Sequence, residues 1–396
     1  MTIGALSTPN QARHLATIRL LFFLIYAGIG VNFTFINVFY ASKGLTGTQI
    51  GLITMVAALV GMIGATLWGY LADRTGQARL IMAGGAIGTG ILALLYPFVT
   101  NYYLYIPMAG LFALGNSAMF TLIDSTTLTI LGDQREEYGR YRLGGSFGYI
   151  LTTFSAGFIY EKFGLAWMFP AYTVVMIAFT LSVLRLPVLS VPQTAHEKGG
   201  LKAMVRQPVW IVFTLCVFLV WTAASGSINF LGVAMKTMGG SDSLIGIAAT
   251  MAAVAEIPFM FFSGSIMRRL GQEKMFWISL LGFTARIGLY GLMPAPQWVI
   301  GINLLNDPSY VFFWNSAVNY ANNIAPDAHK ATAQGLFQAT TNLASVASAI
   351  LAGWMFDSLG PSGLFQVLAL GCLAAFIIFG ISRYTRKPSP ATGAVD

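Results

Sequence analysis

Gly69-Tyr70-Leu71-Ala72-Asp73-Arg74-Thr75-Gly76-Gln77-Ala78-Arg79 has a counterpart 195 residues further on, Gly264-Ser265-Ile266-Met267-Arg268-Arg269-Leu270-Gly271-Gln272-Glu273-Lys274. Gly69 answers to Gly264, Gly76 to Gly271 and Arg79 to Lys274. A second pair, Gly157 to Gly164 against Gly353 to Gly360, places Glu161 opposite Asp357 at an offset of 196. Apolar stretches share residues by chance, but matched glycines and charges in polar stretches rarely do. The chain therefore reads as two parallel copies of one unit.

Composition says what the unit is made of. Of 396 residues, 56% are hydrophobic and only 9% charged, with a mean hydropathy of +0.70. Soluble domains carry about a quarter charged residues, so this surface is built for lipid. Apolar runs of roughly 20 residues fit the hydrocarbon thickness at the rise of an α-helix. Breaks at polar, Gly and Pro positions predict twelve spans, near 17–40, 49–71, 80–99, 102–131, 141–160, 166–187, 208–235, 244–267, 275–294, 297–325, 331–356 and 362–384. The expectation is an all-α membrane protein, twelve transmembrane helices in two pseudo-symmetric six-helix bundles. Residues 1–187 form the first bundle, 188–206 a central cytoplasmic loop, and 207–396 the second bundle with a short cytoplasmic tail. The first apolar run is too long for a signal-peptide core and reads as a retained helix.

The formal charge of +8 is a topology signal, not one for nucleic acid. All basic loop residues except Lys43, Lys162 and Lys236 fall on one side of the alternating loops, which puts both termini in the cytoplasm. The expected setting is a bacterial inner membrane. Cys216 and Cys372 lie inside apolar runs, so no disulfide framework is implied.

Five charges fall inside predicted spans: Asp124, Arg142, Glu256, Arg286 and Asp307. Each costs at least ~2.5–3.5 kcal/mol at the bilayer centre, so each needs a partner or a wet cavity. Asp124 and Arg142 flank the short loop between spans four and five at similar depth, which makes an Asp–Arg pair feasible. Asp307 precedes Pro308, which frees a carbonyl in the helix ladder. Asn37, Asn303 and Asn306 are amides within spans; such rows bind polar ligands, and equally glue helices together.

The stretch from Gly69 to Arg79 resembles the cytoplasmic signature loop of the major facilitator superfamily. The resemblance implies a gating latch built by Gly69, Asp73, Arg74, Gly76 and Arg79. Glu137-Tyr138-Gly139-Arg140-Tyr141-Arg142-Leu143-Gly144-Gly145-Ser146-Phe147-Gly148-Tyr149 is similar to the start of the fifth helix in the lactose permease, phenylpropionate permease and nucleoside proton-symporter branch. There an acidic residue 18 positions before the second Arg contacts substrate with it, and an aromatic seven positions after stacks on it. This implies Asp124, Arg142 and Tyr149 as substrate-binding residues, with Asn37, Asn303 and Asn306 completing the lining. Arg286 matches a ninth-helix Arg of proton release. The tenth-helix His and Glu of that branch fall on Asn306 and Ser309, and its second sugar-binding Glu on Ala253, so lactose itself is not the expected cargo. Asp307 or Glu256, partnered by Arg286, is then the expected proton carrier.

His14, His196 and His329 lie in expected tails or loops, and no P-loop or hydrolase constellation occurs, so no cofactor, metal or enzymatic activity is expected. The leading expectation is a monomeric proton-coupled symporter that imports a small polar organic solute such as a saccharide, nucleoside or aromatic acid. The alternatives are a proton-antiport exporter of the same fold and a non-transporting membrane receptor. The latch and the charged interior, which a scaffold does not need, speak against the receptor.

Overall fold

The structure, a computed structural model, describes residues 9–132, 134–187, 207–325 and 329–385. The expected central loop, 188–206, lies outside the described residues, as does the tail after 385. Among the described residues there is no strand, and twelve helices cross the molecule. Helix 1 comprises Pro9–Gly28, a π-helical turn Ile29–Phe33 and Ile36–Ser42. Helices 2 to 6 are Gly47–Thr75, Ala78–Leu95, Tyr102–Leu131, Tyr138–Phe163 and Met168–Val183. Helices 7 to 9 are Pro208–Thr237, Asp242–Leu270 and Gln272–Leu292. Helix 10 joins Trp298–Ile302, a 3-10 turn Asn303–Leu305 and Asn306–Ile324. Lys330–Thr385 breaks at Gly360 (φ 71°) into helices 11 and 12.

Nine stretches of the described residues are long and apolar enough to span a membrane, one of them covering both helices 11 and 12. Helices 5 and 10 fall short of that test; helix 5 is rich in Gly, Ser and Thr and helix 10 in Asn. The outer surface confirms the solvent. Ile87, Ile91 and Leu94 stand exposed along one face of helix 3, as do Val174, Ile177 and Leu181 along helix 6. Such faces have no place in water and fit lipid.

The repeat is visible in how helices start and stop. Thr46 caps helix 2 in a capping box with Gln49, and Ser241 caps helix 8 by accepting from the Leu244 amide at 3.1 Å. Helix 2 ends at Gly76 (φ 66°) and helix 8 at Gly271 (φ 77°), left-handed positions that favour glycine. Each half holds its own aromatic core. Tyr96 stacks on Phe169 (centroids 5.2 Å apart) in the first half, and Phe276 on Tyr320 (6.2 Å) in the second. Helix 10 tightens where Pro308 has no amide to offer the carbonyl of Leu304.

The even number of crossings brings both ends of the described chain to one face of the bundle, here the terminal face; the other is the far face. The halves meet at the far face, where helix 2 packs on helix 11 and helix 5 on helix 8. A Cβ on Gly353 would strike the Gly47 carbonyl, and one on Gly246 would come within 2.7 Å of the Thr153 carbonyl. The backbones therefore touch where glycine leaves no side chain between them. At the terminal face Asp73 and Arg74 are exposed, and among the described residues neither makes a hydrogen bond or ion pair. The molecule is closed at the far face.

Candidate functional site

Helices 4 and 5 form the hairpin expected to carry the first charged pair. Their geometry separates the two charges by tyrosines. Asp124 accepts a hydrogen bond from the Tyr138 hydroxyl at 2.7 Å, and Arg142 donates to the Tyr26 hydroxyl at 3.2 Å. Among the described residues Asp124 and Arg142 form no direct ion pair. Both side chains are exposed, near the terminal-face ends of their helices. Gly144, Gly145 and Gly148 let helix 5 press against helix 1, since a Cβ at Gly145 would overlap the Tyr26 ring. That close approach is what brings Tyr26 to Arg142.

From the other half, Glu256 on helix 8 comes within electrostatic reach of Arg142. Nothing among the described residues hydrogen-bonds its carboxyl. Tyr310 on helix 10 feels Glu256, Tyr26, Arg142 and Arg286 together, so these groups share one region between the halves. Tyr149 meets Thr34 hydroxyl to hydroxyl at 3.3 Å and is also within electrostatic reach of Glu256.

Arg286 has a partner on helix 10. It is buried, lies over the Phe283 ring (5.1 Å) and donates to the Asn306 side-chain oxygen. Asn303 is a hub: it accepts from the Tyr290 hydroxyl at 2.5 Å and donates to the Ala248 carbonyl at 2.6 Å. Both amides thus hold helices 8, 9 and 10 together. The side chain of Asp307 lies outside the described residues.

Two cavities lie between the halves. The smaller, about 160 Å³, is bordered by Tyr149, Arg286, Asn303 and Asn306. The larger, about 610 Å³, is bordered by Asn32, Asn37, Asn116, Phe120, Trp221 and Asn229 among others. Phe33 and Ile228 border both. Asn37 crosses the interface by donating to the Asn229 carbonyl at 2.9 Å.

Of the latch residues, Arg79 donates to the Leu186 carbonyl at 3.0 Å, tying helix 3 to the end of helix 6. Gly69 and Gly76 have open space around them. Sequence reasoning missed Tyr138 and Tyr310 as members of the charged region, because nothing in the chain marks a tyrosine that faces an ion. It also gave Glu161 and Asp357 no role beyond marking the repeat. In the structure Asp357 accepts from the Gly47 and Thr48 amides (2.6 and 2.7 Å), and Glu161 from the Ser243 amide (3.2 Å). Each bond crosses between halves at the far face.

Among the described residues no cluster of His, Cys, Asp or Glu could hold a metal. The profile of the MFS_1 like family matches residues 15–367. The maltose permease of Geobacillus stearothermophilus is 25% identical over 349 residues, which is 86% of this chain and 87% of that one. A protein of Escherichia coli K12 named "Probable 3-phenylpropionic acid transporter" is 26% identical over 368 residues, 90% of this chain and 95% of that one. A crystal structure of a single-residue variant of the nucleoside transporter NupG superposes with a TM-score of 0.83 at 16% identity, covering 93% of this chain and 99% of the other.

Proposed function

The chain belongs to the MFS_1 like family and is a secondary transporter, not an enzyme, and from that premise we propose that it is a symporter which couples proton entry to the import of a small polar organic solute. The solute classes in view are a saccharide, a nucleoside and an aromatic acid, the three that the names of its relatives print. Residues 1–187 and 207–396 rock as two bundles around a midplane site, as a single chain in a bacterial inner membrane with both termini in the cytoplasm. The terminal face is then cytoplasmic, and the closed far face makes this the inward-facing state.

One observation carries the reading: Glu256 of the second half lies within electrostatic reach of Arg142 of the first. A carboxyl near a cation gives up its proton more readily than one away from it. Rocking the halves changes the distance between Glu256 and Arg142, so the carboxyl loads a proton on one side and releases it on the other. Asp307 is the second candidate carrier, and Arg286, held by Asn306, sets the field beside them. Asp124, Arg142, Tyr149, Asn37, Asn303 and Asn306 line the path of the solute. The Gly69–Arg79 loop serves as the cytoplasmic latch of the opposite, outward-facing state, which fits Asp73 standing free here.

The test is uptake into proteoliposomes under an imposed inward proton gradient, across maltose, uridine and 3-phenylpropionate. Glu256→Gln is expected to abolish gradient-driven uptake. Full gradient-driven uptake in both Glu256→Gln and Asp307→Asn overturns the assignment, and accumulation only under an outward gradient replaces import by export.

A further inference from the structure

We propose that the 610 Å³ cavity binds the ring of an uncharged heterocyclic solute through a lactam-type edge, an N–H beside a C=O, held by Asn32. This names the solute class of the transporter proposed above and rests on that reading.

Among the described residues, none that borders the cavity is charged. A carboxylate or ammonium taken into it would lose water with no ion to replace it, a cost of several kcal/mol. Most of the remaining wall is apolar, with Ile29, Ile36, Ile53, Ala57 and Ala113 among its residues. A hydroxyl-rich sugar would leave several donors unpaired against such a surface. A flat ring with few polar atoms loses least.

Serine, threonine and tyrosine hydroxyls border the cavity beside four asparagines, and among the described residues the carboxamides of Asn32 and Asn229 have no hydrogen-bond partner. Asn116 is satisfied at both ends, donating to the Phe112 carbonyl (3.0 Å) and accepting from Tyr172 (3.1 Å). Asn37 spends its N–H on the Asn229 carbonyl and keeps its oxygen. Asn32 is 5% exposed and borders the cavity, and its carboxamide has no hydrogen-bond partner among the described residues. Its oxygen and its amino group point the same way and match the N–H and C=O of a lactam edge in two parallel bonds.

The backbone at Asn32 is also unusual. Residues 29–33 form a π-helical turn in helix 1, followed by a break before Ile36. Such turns are rare and concentrate at functional sites. Phe120 of the first half and Trp221 of the second border the same cavity. The indole N–H of Trp221 is fixed by Ser345 at 3.0 Å and its ring stacks on Phe313, which holds the indole rigidly at the cavity border. Phe33 and Ile228 border both this chamber and the smaller one that Arg286 borders.

The experiment measures binding to the purified full chain in detergent, with no gradient, by titration calorimetry. Uracil and 2-quinolone are the lactam probes, maltose the hydroxyl-rich one and 3-phenylpropionate the anionic one. The lactams are expected to bind at least tenfold more tightly than the other two. Asn32→Leu should weaken lactam binding at least tenfold, and Asn229→Ala, which alters the same wall from the other half, at least threefold. Because the readout is equilibrium binding, it stands apart from proton coupling. Lactam binding that needs Asn32, together with uptake indifferent to the gradient, keeps this proposal and removes the symport reading. Stronger binding of maltose or 3-phenylpropionate, lactam binding unchanged in both variants, or no lactam binding overturns it, whatever the gradient does.

Discussion

Thr48 and Asp357 are joined twice across the two halves: the Thr48 amide (2.7 Å) and hydroxyl (2.6 Å) both donate to the same carboxylate oxygen. The other oxygen takes the Gly47 amide at 2.6 Å. Gly47 and Thr48 are the first residues of helix 2, whose free amides and dipole favour an anion. The repeat supplies the partner contact, Glu161 on the Ser243 amide at the start of helix 8. Two helix starts in opposite halves are thus capped by carboxylates from the facing half. Asp357 is largely open to solvent, so its bonds are worth less than the ~1.5–3 kcal/mol of a buried charged pair. Asp357→Asn is expected to weaken closure by about 1 kcal/mol, roughly fivefold in the closed-to-open ratio. Spin labels on Lys43 and Ser358 would report it as a larger long-distance fraction; an unchanged distribution means the cap does not hold the gate.

The same contacts predict how closure answers to pH. Burial alone raises the Asp357 carboxyl, but bonds from Thr48 and Gly47 outweigh it and hold it below the usual carboxylate range. The Ser243 hydroxyl and amide lower Glu161 against a smaller opposing effect of burial. A carboxylate whose native pKa is depressed contributes fully above its ordinary value of ~4 and loses that contribution as pH falls through the lowered one. Closure at the far face should therefore be the same at pH 7.5 and pH 5.5 and loosen only below about pH 4. Any pH dependence of uptake between 5.5 and 7.5 then does not arise from these two caps. A label distance that lengthens already at pH 5.5 contradicts this.

Gly353 tests the gate by steric means. Its missing Cβ is the space occupied by the Gly47 carbonyl, and backbone has little room to give. Gly353→Val should shift the population toward an open far face, with uptake reduced at least tenfold and the Lys43–Ser358 label distance increased. Gly84, which has open space around it, supplies the control: Gly84→Ala leaves both readouts unchanged.

The fold was legible because its determinants are periodic and local. The 195-residue offset that aligns Gly76 with Gly271 also aligns the caps Thr46 and Ser241, and each cap acts within its own turn. The charged hairpin was legible in position, since Asp124 and Arg142 lie in helices joined by a short loop. Its wiring was not. Tyr26 reaches Arg142 from a helix 116 residues away, through a packing distance set by Gly145, and no spacing rule encodes that. Asn32 was one span asparagine among several. The π-helical turn sets it apart, and that turn is a property of the folded backbone.

Asn303 separates glue from ligand binding most cleanly. It borders the small cavity, yet both ends of its amide are engaged, by Tyr290 and by the Ala248 carbonyl. Asn303→Leu keeps the approximate volume and strands the Tyr290 hydroxyl in a buried setting, while the Ala248 carbonyl keeps its bond within helix 8. Interhelical hydrogen bonds in membranes are worth ~0.6 kcal/mol on average and up to ~1.7, and two are lost, one of them leaving its partner unpaired. The expected cost is about 1–2 kcal/mol, seen as a lower midpoint of thermal unfolding in detergent, while KM for the transported solute changes less than twofold. If Asn303 instead contacts the solute, KM rises and the unfolding midpoint of the unliganded protein stays where it was. The two measurements on one variant give opposite answers for the two roles.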